Sequence, residues 1–234
     1  MSLAADRLCE ALGYGRSIMT NDFLQNLGPT DRLWHVSSNP NASAFAYDRL
    51  AVCRASAKVQ MRRIWAAVAE INSKDSEPKL SATQSDIITF FAVGKKRRVP
   101  LLYETHFYFV SWANCGKMLC TLTGLPEFLD AKKVFDSYRK TFDHYTAARN
   151  SFEHYHDRLP GNAEEKKVRE VVQNKGAGPS RIYFGFNDGK YKHSDMSWDI
   201  TPASFELLSK AIDETLAVLH RRIDELFKAK FGCS

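Results

Sequence analysis

The sequence predicts a mainly α fold, a four-helix up-down bundle with a small β-hairpin before the last helix. Two observations lead there. Apolar residues recur at steps of three and four along four long stretches, the period of helices that bury one face. One shorter stretch alternates instead around Asn187-Asp188-Gly189, which is turn chemistry for paired strands. A chain of 234 residues, 44% of them apolar, has enough material for a core, which excludes a wholly disordered protein.

Residues 1–44 read as an irregular N-terminal arm with one short helix near Ala4 to Leu12, stopped by Gly13 and Gly15, and with a loop at Asn39-Pro40-Asn41. Residues 45–234 form the bundle domain. Its first helix spans roughly Ser43 to Ile71, where Leu50, Cys53, Ala57, Met61, Ile64, Val68 and Ile71 make one apolar stripe. Arg54, Lys58, Arg62 and Arg63 occupy the opposite face, which reads as a solvated surface. Residues 72–85 are polar linker. Asp86 to Val93 is an apolar run too short to assign, and it leads into the basic cluster Lys95-Lys96-Arg97-Arg98, read as an exposed loop able to grip phosphate.

The second helix runs from about Leu101 to Thr123, is rich in aromatics (Phe107, Tyr108, Phe109, Trp112), and stops at Gly124 and Pro126. The third runs from about Glu127 to Leu159, with a seam of Phe135, Tyr138, Phe142, Tyr145, Phe152 and Leu159, and ends at Pro160-Gly161. Ile182 to Phe186 and Tyr191 to Ile200 then make the hairpin, with Trp198 as a packing anchor between hairpin and last helix. The fourth helix opens with Thr201 as N-cap and Pro202 at its first position. It buries Phe205, Leu208, Ile212, Leu219, Ile223 and Leu226, and ends near Lys230.

Charge and cysteine usage bound the function. A net charge of +6 favours an anionic partner such as nucleic acid. Five cysteines without a C-x-x-C pair fit a reducing, cytoplasmic setting better than a disulfide framework. No membrane-spanning run and no leader pattern is expected.

The third helix holds the chemistry. Arg139-Lys140-Thr141-Phe142-Asp143-His144-Tyr145 is echoed by Arg149-Asn150-Ser151-Phe152-Glu153-His154-Tyr155. Ten residues turn a helix face by about −80°, so the two copies cannot serve one site equally. The second copy is the stronger candidate. Asn150 and His154 share a face, Ala147 and Ala148 leave room for an approaching partner, and Arg149 lies on the continuation of the buried seam. A guanidinium there must find a partner or meet an interface. The simplest partner is Glu153, four residues on. Glu153-x-x-His156 has the spacing of one half of a di-iron site, but no second such pair accompanies it. No metal and no cofactor is expected. His35, His106, His193 and His220 look isolated, as surface or satisfied core residues.

Arg-Asn-x-x-x-His on the third helix of such a bundle resembles the HEPN superfamily, whose name marks a nucleotide-binding domain shared by higher eukaryotes and prokaryotes. The run from Ala148 to Tyr155, Asp157 to Gly161 after it, and the hairpin with Trp198-Asp199-Ile200-Thr201-Pro202 look like bacterial members, over about Phe45 to Phe231. The resemblance implies a metal-independent endoribonuclease. In it, Arg149 and His154 of two subunits would meet across a two-fold axis, with Asn150 orienting a neighbouring side chain or the scissile phosphate. It also implies a homodimer, a toxin–antitoxin or phage-defence setting, and a cognate antitoxin of nucleotidyltransferase type. Family members that have lost the reaction imply the alternative, a non-catalytic module that binds RNA, a nucleotide or a partner protein. A third alternative is a purely structural interaction domain in which Arg149 and Glu153 form an ordinary ion pair within the helix.

Overall fold

The computed structural model describes residue 24 and residues 26–74, 84–153, 184–187, 189–193 and 196–232, with side chains described outside 71–99, 184–187 and 193. The described chain is mainly helical: α1 (Pro29–Val36), α2 (Pro40–Lys74), α3 (Gln84–Thr123), a 3-10 turn (Pro126–Phe128), α4 (Leu129–Glu153) and α5 (Pro202–Phe231). A three-stranded antiparallel sheet precedes α5: β1 (Phe184–Asn187), β2 (Lys190–His193) and β3 (Met196–Asp199), in that order.

Several boundaries differ from the sequence expectation, each for a local reason. Asn39-Pro40-Asn41 is a helix start and not a loop: the Asn39 side-chain oxygen accepts the Ala42 N–H at 3.3 Å, and Pro40 fills the first helical position, where an N–H has no partner to lose. Pro29 opens α1 in the same way, so part of the arm is helical. The helix near Ala4 to Leu12 lies outside the described residues. Asp86 to Arg98, left unassigned or read as loop, belongs to α3, which carries Pro100 inside it. The third helix begins at Leu129, after the 3-10 turn, and is described to Glu153. The second arm of the hairpin divides into β2 and β3, so the hairpin has become a meander.

Two compact units are present: Met1–Val52, Asn114–Lys140 and Ser209–Ser234 form one, Cys53–Ala113 and Thr141–Leu208 the other. In the first, Leu33, Leu50, Leu119, Leu122, Phe128, Phe135, Ile212, Leu219, Ile223 and Phe227 are buried, and Leu24, Phe227 and Phe231 form a small cluster flanked by Leu27 and Val36. Polar bonds tie its surface: Arg32 to Asp224 at 2.7 Å, Tyr47 to His220 at 2.8 Å, and Glu127 to the Ser38 hydroxyl at 3.1 Å.

The second unit has an aromatic core. Trp112 stacks on Tyr145 with centroids 4.0 Å apart, and Phe109 lies between Tyr191 and Trp198 at 5.7 and 6.0 Å. Tyr191 and Trp198 are opposite one another across β2 and β3, and both are buried while their strand neighbours Lys190, Lys192 and Ser197 face out. That is the period-two alternation of a half-covered sheet. Three of the large polar rings donate to a backbone carbonyl. Trp65 Nε1 donates to Ile200 at 3.0 Å, Tyr145 Oη to Asp199 at 2.7 Å, and Trp198 Nε1 to His144 at 2.8 Å. Trp198 is thus an anchor, as expected from the sequence, but its indole N–H ties the sheet to α4. Gly189 in the β1–β2 turn has φ +71°, a left-handed geometry that glycine adopts without penalty. Among the described residues no helix is long and apolar enough to cross a membrane.

Candidate functional site

The last described turns of α4 present Arg149 and Asn150 within the second unit. The helix reaches them because Phe142, Tyr145 and Ala148 continue its buried seam, and Ser151 closes it at the far end. Asn150 is exposed and Arg149 half-buried. Both lie where the motif predicts. His154, four positions beyond Asn150, lies outside the described residues, as do His156 and the stretch to Gly161.

Arg149 is paired with Glu153 through two parallel bonds, Nε to Oε1 at 2.8 Å and Nη2 to Oε2 at 2.7 Å. This is the intrahelical partner that spacing alone suggested. The geometry is the fork-to-fork match of guanidinium and carboxylate. It fixes the plane of the guanidinium and cancels much of its charge. One edge is consumed; Nη1 and the second N–H of Nη2 engage no hydrogen-bond partner among the described residues. An oxyanion can meet that remaining edge without displacing Glu153, because a guanidinium has five N–H donors.

His106 was expected to be isolated, and the structure corrects this. Its ring packs against Phe107 at 5.6 Å and Phe152 at 5.3 Å, so it borders the residue that lies between Arg149 and Glu153 on α4. Nδ1 is buried and has no hydrogen-bond partner among the described residues. Burial pushes its pKa below the ordinary imidazole value, Glu153 pulls it back up, and Arg149 lowers it further. The sequence signal was faint: His106 stands on the flank of the buried stripe Thr105–Tyr108–Phe109–Trp112, where periodicity does not separate core from rim.

The other expected residues divide clearly. Lys95, Lys96, Arg97 and Arg98 lie on helical backbone of α3, not on a loop. His220 is satisfied by Tyr47 and His35 is packed against Phe227 and Phe231. On the basic face of α2, Lys58, Arg62 and Arg63 are exposed, and Arg63 approaches Glu104 at 3.7 Å. Among the described residues no three His, Cys, Asp or Glu side chains gather closely enough to hold a metal ion.

Comparison with family models, with curated proteins and with solved structures returns no match. Any statement about function therefore rests on the residues themselves.

Proposed function

We propose that the chain is a HEPN-like endoribonuclease: a cytoplasmic four-helix up-down bundle that acts as a homodimer and cleaves RNA without a metal ion. One observation carries the proposal: a half-buried guanidinium on the last described turn of α4, held in plane by Glu153, with one edge that no described residue engages and the exposed Asn150 amide beside it. Phosphodiester cleavage by the ribose 2′-OH needs a base for that proton, charge stabilisation on the phosphate, and a proton for the departing 5′ oxygen. His154, an imidazole able to take and to give a proton, supplies the first and last. Arg149 supplies the second, since a planar, permanently charged fork matches phosphate oxygens. Asn150 orients the phosphate or its neighbour. A two-fold pair presents two copies of each group, so one motif per chain suffices. The resemblance adds a cognate antitoxin of nucleotidyltransferase type as partner.

A second reading is favoured by the same ion pair. With Glu153 cancelling its charge, Arg149 fits a non-catalytic module that holds RNA, a nucleotide or a protein. Incubating the purified chain with single-stranded RNA in EDTA separates the two. A nuclease cuts the RNA, and both Arg149→Ala and His154→Ala abolish cutting while the dimer persists. Salt-sensitive binding with intact RNA supports the module, and neither binding nor cutting refutes both.

A further inference from the structure

We propose that His106 is a second phosphate-binding residue beside Arg149, an uncharged imidazole whose Nε2–H donates to an oxygen of the RNA phosphodiester that the guanidinium meets. This role rests on the reading of Arg149 as a phosphate-binding residue, not on catalysis. His106 belongs to α3, and Arg149 and Glu153 to α4, all within one compact unit. Two observations bring them together. The His106 ring packs against Phe152 at 5.3 Å, and Phe152 directly precedes Glu153 on α4. The charges that act on the imidazole are those of Glu153 and Arg149, so it stands inside the field of their ion pair.

The two ring nitrogens differ. Nδ1 is buried without a partner among the described residues, whereas Nε2 is not among the buried unpaired atoms and the residue is only half-buried. A proton on Nδ1 would be a buried donor lacking an acceptor, so the neutral ring carries its proton on Nε2. Burial disfavours the charged form more than Glu153 favours it. The group on offer is therefore an uncharged N–H, next to a guanidinium with one edge that no described residue engages. Packing alone does not account for a histidine here. Phenylalanine would fill the space between Phe107 and Phe152 without sealing an unpaired nitrogen, which costs free energy. A neutral donor beside a fixed cation selects an anionic oxygen. A phosphodiester has two such oxygens, so both side chains can serve one linkage.

The test is fluorescence anisotropy with a labelled 2′-O-methyl RNA strand of about 12 nucleotides, which binds but cannot be cut. His106→Phe should weaken binding about 3- to 10-fold, the loss of one neutral hydrogen bond. His106→Gln, whose amide nitrogen falls near the place of Nε2, should restore it. His106→Asn, whose amide reaches only the place of Nδ1, should not. The slope of affinity against salt should be unchanged in His106→Phe and reduced by about one in Arg149→Ala, because only the second removes a charge. Parent-like affinity in His106→Phe, or equal loss in the Phe and Gln variants, would overturn the assignment. So would a deficit in His106→Phe that grows from about pH 8 to about pH 7, the mark of a charged contact. Loss confined to a fluorescent ATP analogue, with the strand unaffected, would overturn it in favour of a nucleotide. If the parent chain binds no strand, or Arg149→Ala binds as the parent does, the RNA-directed reading fails and His106 with it. If Arg149→Ala weakens binding and His106→Phe does not, His106 alone is refuted. The predicted pattern on a strand, with unmodified RNA left whole, sinks the nuclease reading and leaves the His106 contact standing.

Discussion

Arg149→Lys and Glu153→Gln, taken together, separate a functional guanidinium from a structural one. The pair is bidentate at 2.7 and 2.8 Å, yet its side chains retain 25% and 36% of their exposure. Solvent screening therefore applies, and an i,i+4 pair of this kind contributes about 0.5 kcal/mol. For a chain of this size that is about 1–2 °C in thermal midpoint. Lysine at 149 keeps the i,i+4 charge pair and loses only the planar fork, so its effect on stability should be smaller still. If the fork meets phosphate in the transition state, however, Arg149→Lys should slow RNA cleavage about 100- to 1,000-fold. Glu153→Gln unmasks a cation, so RNA affinity at low salt should rise and the gain should vanish at high salt. Circular dichroism melts and EDTA-resistant cleavage of end-labelled RNA measure the two sides. Full cleavage by Arg149→Lys, at unchanged midpoint, would refute the assignment and leave an ordinary helix ion pair.

Three further outcomes follow from the packing. Tyr145→Phe removes a buried donor to Asp199 and keeps the Trp112 stack, so it should cost about 1–2 kcal/mol in urea unfolding, whereas Tyr138→Phe, whose hydroxyl serves Glu214 on the surface, should cost under about 0.5 kcal/mol; equal costs would mean that the Asp199 bond contributes nothing. His35, His106 and His220 all have pKa values lowered chiefly by burial, so the folded state favours their neutral forms. Stability from them is complete above the unfolded value of about 6.5 and is lost as pH falls through it toward the folded values; melting midpoints should drop from pH 7.5 to 5, less steeply in His106→Phe, and a flat profile would contradict the burial of all three. Gly189→Ala places a Cβ at φ +71° and against Thr201 Cγ2, which should destabilise the chain by about 1–3 kcal/mol; an unchanged urea midpoint would refute the strain.

Legibility in the sequence followed how strongly each segment advertises burial. The stripes of α2 and α5 were readable because Leu50, Ala57, Met61 and Ile64, and Leu208, Ile212, Leu219 and Ile223, are buried at the steps the pattern gives. The first half of α3 was not: Gly94, four consecutive cations and Pro100 are each poor helix signals, and only the longer helix downstream sustains them. The third strand was hidden because Tyr191 to Ile200 reads as one polar-interrupted run, although Ser194-Asp195 in its middle is turn chemistry. In the site, spacing disclosed the Arg149–Glu153 pair but could not disclose His106, which reaches α4 only through tertiary packing.

The echo within α4 tests the same logic from the other side. Both copies carry Arg five residues before His, so a rule based on that spacing alone cannot rank them. In the first copy, Arg139 forms an exposed pair with Asp136 at 3.5 Å. His144 sets Nε2 3.2 Å from the Ser197 carbonyl, and its own carbonyl receives the Trp198 indole N–H. The first histidine is thus committed to β3 and the first arginine to the helix surface. A rotation of about −80° over ten residues carries the second copy off that direction. Its arginine pairs instead beside Phe152 and His106, where a fixed guanidinium keeps an edge to spare. A helix can therefore repeat a motif while using one copy to hold a sheet, and the arginine of the other, bound to Glu153, keeps donors that no described residue engages.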